Sequence, residues 1–173
     1  MKLTLALGRA LILLTLASCT PSLNWRSVPV QQLSALLPCS PDHAKKQVDL
    51  GQMERTLSMW GCEAGGALFA VAHLHVALPA TPEQVIAAWQ LAAMRNIPGG
   101  TALAVPFKAP TQVGRPAGLG NKLNAKGTGP TGQPVQAELV WFSQGQDVYH
   151  LAVFAKALSP AMTEPFFTEL NWQ

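Results

Sequence analysis

Three histidines come nearest to forming a chemical site by residue type and spacing. His73 and His75 are separated by one residue in an apolar stretch typical of a β-strand, so both side chains are expected on one face. His150 lies in a second such stretch, and the three imidazoles could together supply nitrogen ligands for zinc or copper. In the competing interpretation His73 and His75 face solvent, and the residues of the opposite face enter the core: Ala72, Leu74 and Val76.

Patterns for other chemistries are weak. Asp42 and His43 follow Cys39 closely, but a disulfide at Cys39 would remove the thiol from any Cys/His nucleophile. The glycines at 114, 118 and 120 match neither a dinucleotide-binding GxGxxG nor a phosphate-binding GxxxxGK[ST]. The chain also lacks a GxSxG nucleophile elbow, and its acidic residues are too scattered to pair as acid and base. We therefore expect no catalytic residue and no cofactor.

Cys19 is the cysteine with the clearest sequence context. Lys2 and Arg9 precede a short apolar run, an arrangement typical of an export signal and too short for a membrane-spanning helix. Leu16-Ala17-Ser18-Cys19 resembles the lipobox of bacterial lipoproteins. That resemblance implies a signal peptide over residues 1–18 and lipidation of Cys19, including an amide-linked acyl chain such as palmitate. The alternative is ordinary cleavage after Ala17.

Anchoring and export determine how the remaining sequence is interpreted. Two or more acyl chains hold a protein stably on a membrane, whereas one chain does so only marginally. Thr20 follows the lipidated cysteine, and in the enteric sorting rule a residue other than Asp there favours the outer membrane. We therefore expect a location in the cell envelope, on the periplasmic face of the outer membrane.

Cysteine number indicates one disulfide. Lipidation of Cys19 leaves Cys39 and Cys62 as a pair, and exported proteins meet an oxidising compartment. We expect these two cysteines to be bridged, with their strands side by side in a meander. Zinc binding or thiol catalysis by the cysteines becomes less plausible once export is accepted.

Charge argues against nucleic acid as a partner. The formal net charge is +3, but Lys2 and Arg9 belong to the leader, so the mature chain is nearly neutral. The segment that comes nearest to a basic footprint lies between Glu83 and Glu138, where five basic residues occur without an acid but are sparse rather than clustered: Arg95, Lys108, Arg115, Lys122 and Lys126. Solvated loops are the main interpretation of the segment 108–134, and contact with anionic lipid or glycan is the alternative.

The elements that position these residues follow from pattern and turn signals. Residues 19–33 read as a lipidated tether containing Pro21 and Pro29, and 34–173 as one α+β domain. Thr81-Pro82-Glu83-Gln84 forms a capping box at the start of a helix that Pro98-Gly99-Gly100 ends. Strands are expected at 33–38, 45–50, 57–62, 67–78, 102–107 and 119–125.

The C-terminal region predicts a long hairpin and a closing helix. Strands over Val135–Phe142 and Val148–Phe154 flank a tight polar turn. The helix contains Phe166 and Phe167, and begins either at Ser159-Pro160 or, because Pro165 would disturb its middle, at Thr163.

This order of elements resembles the PsbP-like fold, which is shared by DcrB-type bacterial lipoproteins. The resemblance rests on the mid-chain helix Thr81–Asn96, the hairpin Val135–Phe154 and the Phe166-Phe167 helix. It implies an antiparallel sheet packed by two helices, and a binding or assembly role in an envelope compartment rather than a shared reaction.

We therefore expect a noncatalytic envelope lipoprotein that binds the membrane through its lipid. A further partner would be an envelope protein, a glycan or a lipid. Candidate surfaces are the segment 108–134 and the sheet face with His73 and His75. The alternative is a periplasmic zinc- or copper-binding protein that uses His73, His75 and His150.

Overall fold

The computed structural model describes residues 22–50, 54–113, 118 and 120–173. Within these residues the chain forms a single α+β domain with two helices and two antiparallel sheets. The predicted class, an antiparallel sheet packed by a mid-chain and a C-terminal helix, is confirmed. None of the helices in the described residues has the length and apolar character needed to cross a membrane.

Seven strands form the main sheet, in the spatial order β3-β4-β5-β9-β8-β7-β6. In chain order they are β3 (Asp42–Asp49), β4 (Glu54–Ala64), β5 (Ala67–His75), β6 (Thr101–Val105), β7 (Gly120–Thr128), β8 (Pro134–Gln144) and β9 (Asp147–Ala155). Each was expected near its observed position. The turn between β4 and β5 uses Gly65 and Gly66, both at positive φ (58° and 76°), which glycine adopts at no steric cost.

A smaller sheet was not expected. It consists of β1 (Arg26–Val30), β2 (Leu33–Leu37) and β10 (Asn171–Trp172), in the order β1-β2-β10. The predicted tether over 19–33 is therefore too long, because the fold already includes residues from Arg26 onward. Pro29 is accommodated because β1 is an edge strand, where a missing N–H leaves no gap in the ladder.

Both faces of the main sheet are covered, which creates two hydrophobic cores. The small sheet and helix α2 (Pro160–Thr168) cover one face, and fully buried Phe69, Leu151 and Phe166 lie in that core. Helix α1 (Pro82–Arg95) covers the other face, where Leu74, Trp89 and Trp141 are buried. The central strands are therefore apolar on both faces, rather than alternating between core and solvent.

Helix α1 begins as its capping signals predict. Thr81 is the N-cap and accepts a hydrogen bond from the Gln84 backbone N–H, while the Gln84 side chain accepts from the Thr81 backbone N–H. Helix α2 begins at Pro160 with Ser159 as N-cap, which settles the two expected starts in favour of the earlier one.

The disulfide between Cys39 and Cys62 is confirmed, but its surroundings differ from the expectation. Cys39 follows β2 of the small sheet, and Cys62 lies within β4 of the main sheet. The expectation that their two strands lie side by side is wrong, because β2 pairs with β1 and β10 whereas β4 pairs with β3 and β5. The bridge therefore joins the two sheets covalently.

Candidate binding groove

The three histidines predicted as a metal site are not brought together. His150 in β9 pairs directly with Ala72 in β5, so it shares a face with Ala72. His73 and His75 alternate with Ala72 and project from the opposite face, toward the small sheet. A site formed by His73, His75 and His150 is therefore wrong, because the sheet itself separates the imidazoles. The described residues contain no group of three or more His, Cys, Asp or Glu residues suited to a metal ion.

His73 and His75 instead share one carboxylate. His73 Nε2 and His75 Nδ1 lie 2.9 and 3.0 Å from Asp147 Oδ1, and both must donate because an ionised carboxylate only accepts. His73 is 9% exposed and lies against the Tyr149 ring, so the expected solvent-facing position is wrong for His73. Burial, with the Asp147 charge as the smaller cause, raises the pKa of Tyr149 to about 12.

His150 contacts two tryptophans on the α1 face of the sheet. Its ring is stacked on Trp141, with centroids 4.3 Å apart and planes 10° apart, and Trp89 of α1 lies 5.0 Å away. Burial lowers the pKa of His150 to about 4, although the hydrogen bond from Nδ1 to the Val140 carbonyl, 2.9 Å long, acts in the opposite direction. The ring is thus neutral at ordinary pH, and its Nε2 is an acceptor.

The same face carries an open groove, because α1 does not cover the full width of the sheet. The helix packs over β8 and β9. Side chains of β4 and β5 that point to the same side are left between the helix and edge strand β3. The groove formed there has a volume of about 540 Å³, within the range of roughly 300–1,000 Å³ typical of small-molecule sites.

The lining of the groove is largely apolar. Small side chains from β5, β9 and α1 make room for it, and larger apolar side chains complete its floor: Ala70, Ala72, Ala152, Ala92, Ala93, Leu57, Met59 and Phe154. Leu68 also lines the groove and is 41% exposed. His150 supplies a neutral polar group, and two cationic residues contribute to the lining, Lys46 from β3 and Arg95 from the last turn of α1.

In the basic segment 108–134, Lys108 and Lys126 are exposed, whereas Lys122 is largely covered. Lys122 is 2.6 Å from Glu138 Oε2 and 5.0 Å from the centre of the Phe167 ring, with only 19% of its side chain exposed. The Glu138 side chain is similarly protected from solvent. Both side chains lie on the face of the main sheet that the small sheet and α2 cover. Arg115 lies outside the described residues. On the sheet face with His73 and His75, His73 is buried, whereas the His75 side chain is 65% exposed.

The groove was not predicted from the sequence. One signal in the sequence was the alternation along β3. Val48 lies on the same face of the main sheet as α1, and Gln47 lies on the opposite face. A second signal was the series of alanines at groove positions. The lipidation prediction at Cys19 concerns residues outside the described part of the chain.

Comparison with known proteins identifies a distant structural neighbour. The chain is similar to PA94 from Pseudomonas aeruginosa, a protein of unknown function. The TM-score is 0.47 at 12% sequence identity, over 84% of this chain and 92% of that chain. No protein-family model matches the chain, and no curated protein does.

Proposed function

We propose that the protein is a lipid-anchored lipoprotein of the bacterial cell envelope whose domain binds an apolar ligand rather than catalysing a reaction. The observation that carries the binding role is the groove between α1 and β3. Its floor is apolar, it contains one neutral imidazole, and it opens on a face of the sheet that the small sheet does not cover. A small number of polar groups in a mainly apolar lining is typical of ligand sites.

The N-terminal sequence and the disulfide support the anchor. Leu16-Ala17-Ser18-Cys19 satisfies the lipobox pattern, and Thr20 favours the outer membrane. Because Cys39 and Cys62 are bonded to each other, Cys19 is the cysteine left for acylation. Residues 20–25 then link the anchor to the first strand, so the domain would lie close to the periplasmic face of the membrane.

The order of elements supports a PsbP-like arrangement. A mid-chain helix and a C-terminal helix pack on opposite faces of an antiparallel sheet, and the long β8–β9 hairpin precedes the second helix. Proteins of this arrangement have binding and assembly roles, which accords with a ligand groove. The disulfide that joins the two sheets sets this chain apart from many of them.

Acylation and membrane retention test the anchor. The wild-type protein, produced in a bacterial host supplied with radioactive palmitate, should incorporate the label and sediment with membranes. A Cys19→Ala variant should lose both properties. A Cys39→Ala/Cys62→Ala variant is the matched control and should keep the label, because those cysteines are not the acylated residue. Unchanged labelling of Cys19→Ala would contradict the anchor.

Photochemical labelling tests the groove independently of headgroup charge. A 16-carbon alcohol with a diazirine in its chain should, in lipid nanodiscs, label peptides that contain Met59 or Phe154. Ala70→Phe and Ala93→Phe fill the groove from the sheet and from the helix respectively, and each should reduce this labelling. Ala102→Phe on exposed β6, at the other edge of the sheet, should not. Equal labelling in all four proteins would contradict a binding role for the groove.

A further inference from the structure

Two cationic residues line the groove, one from each of the two elements that bound it. Lys46 comes from the middle of edge strand β3, and Arg95 from the last turn of α1. Both residues are exposed, so their charged groups can reach a ligand without leaving water entirely. Arg95 also offsets the negative end of the α1 dipole, which would otherwise repel an anion there.

Asp49 is the acidic residue of the lining, and its side chain points elsewhere. Strand β3 alternates, so Lys46 and Val48 face the groove side of the sheet whereas Asp49 faces the opposite side. Asp49 also already has an interaction partner. The charge presented inside the groove by the described residues is therefore positive.

The chain that leads into the domain arrives on the other face of the main sheet. Trp25 packs edge-on against Phe69, with ring centroids 5.9 Å apart, in the core beneath the small sheet. Leu23 packs against the same core. This segment therefore does not fill the groove, which remains accessible to a separate molecule.

We propose that the groove binds a single-chain amphiphile with an anionic headgroup. This inference rests on the proposed binding function and specifies its ligand. The hydrocarbon chain lies on the floor formed by Ala70, Ala152 and Phe154, and the headgroup lies between Lys46 and Arg95. A volume of about 540 Å³ suits one chain. An ionised fatty acid has this chemistry, as does a single-chain lipid with a phosphate headgroup.

Matched photoactivatable probes test the charge of the headgroup. The purified protein in nanodiscs is labelled with a 16-carbon diazirine fatty acid and with the corresponding alcohol, and groove peptides are quantified by mass spectrometry. Two partly exposed ion contacts predict roughly tenfold more labelling by the acid than by the alcohol. Lys46→Glu/Arg95→Glu should abolish this preference while leaving labelling by the alcohol unchanged.

The control variant has the same change in net charge. In Lys45→Glu/Lys126→Glu, Lys45 is the neighbour of Lys46 but points to the opposite face of β3, and Lys126 lies on β7 far along the sheet. This variant should keep the preference for the acid. Loss of the preference in both variants would mean that overall charge, rather than the groove cations, attracts the acid, and would overturn the inference.

The outcomes separate this inference from the proposed function. If the acid and the alcohol label the groove equally in the wild-type protein, the charged-headgroup inference fails and the binding groove stands. If neither labels it, the proposed function fails as well. Competition by unlabelled palmitate or by a lysophosphatidic acid, without competition by a monoacylglycerol, would support an anionic headgroup and show which anion is preferred. Competition by the uncharged lipid at the same concentration would overturn the inference.

Discussion

Trp141 and His150 lie face to face in the core beneath α1, with planes only 10° apart. The pair is formed across the β8–β9 ladder, where the two residues are direct partners. The Nδ1 of His150 also donates to the Val140 carbonyl, and the Trp89 ring lies 5.0 Å away, so the imidazole is enclosed by protein groups. A proton on this ring would be poorly solvated, which is why its pKa falls to about 4.

The first prediction concerns stability between neutral and acid pH. The pKa of His150 is about 4 in the folded protein and near 6.5 when unfolded. The unfolded chain therefore binds the proton first, and stability decreases as pH falls through 6.5 until the folded pKa is reached. Thermodynamic linkage predicts that His150 lowers the free energy of unfolding by up to about 2 kcal/mol between pH 7 and pH 5.

Urea unfolding at several pH values measures this effect. A His150→Phe variant should show a weaker dependence of the unfolding free energy on pH in that range. His43→Gln serves as the control, because His43 is exposed on β3. An identical pH dependence in wild type and His150→Phe would show that His150 is not the responsible group.

The second prediction concerns the bridge between the sheets. Cys39 and Cys62 are 23 residues apart. A disulfide that closes a loop of this size lowers the entropy of the unfolded chain, which stabilises the folded state by roughly 3 kcal/mol. Reduction, or Cys39→Ala/Cys62→Ala substitution, should lower the free energy of unfolding by about that amount. Chemical denaturation with and without reductant measures it. Reductant should have no effect on the double variant, and a large effect there would point to another cause.

The third prediction concerns a close backbone approach between β7 and the segment after α1. A Cβ at Gly127 would lie 2.6 Å from Ile97 Cγ2 and 2.7 Å from Gly100 Cα, distances that real Cβ atoms do not adopt. Gly127→Ala should therefore destabilise the domain by about 1–3 kcal/mol. Gly129→Ala is the matched control, since its nearest contact would be an ordinary 3.6 Å. Thermal unfolding compares the two, and equal stability would contradict the predicted clash.

The fourth prediction concerns the Lys122–Glu138 pair. Their side chains are only 19% and 17% exposed, so removal of one partner leaves a protected charge without compensation. Lys122→Met should cost about 3 kcal/mol or more. Lys122→Met/Glu138→Leu should recover most of that loss, because neither charge then remains. A double-mutant cycle by denaturant unfolding measures the coupling, and additive losses would show that the two side chains act independently.

Local signals explain which elements could be predicted. Helix α1 is specified by its capping residues, and the β8–β9 hairpin by two apolar runs around a polar turn. Strand β1 was missed because Pro29 resembles a tether residue. Its pairing with β2 depends on position at a sheet edge, which a short stretch of sequence does not reveal. The inter-sheet position of the Cys39–Cys62 bridge likewise depends on how two sheets pack.

The site could be predicted only in part, because it depends on register between distant strands. The alternation of β5 correctly places His73 and His75 on one face. Which face His150 shares is decided by its pairing with Ala72, a contact between segments more than seventy residues apart in the chain. The groove depends further on where α1 ends relative to β3. Spacing within each segment cannot supply either relationship.

The bridge between Cys39 and Cys62 also determines how the domain carries mechanical load. Tension applied at the N-terminal end passes along the small sheet to Cys39 and can cross directly to Cys62 in the main sheet. The intervening segment, with β3 and the Leu57 and Met59 part of the groove floor, lies inside the covalent loop and is bypassed. A pull on the N-terminal end would thus leave this wall of the groove unstretched, so the groove can keep its shape while the molecule is under tension.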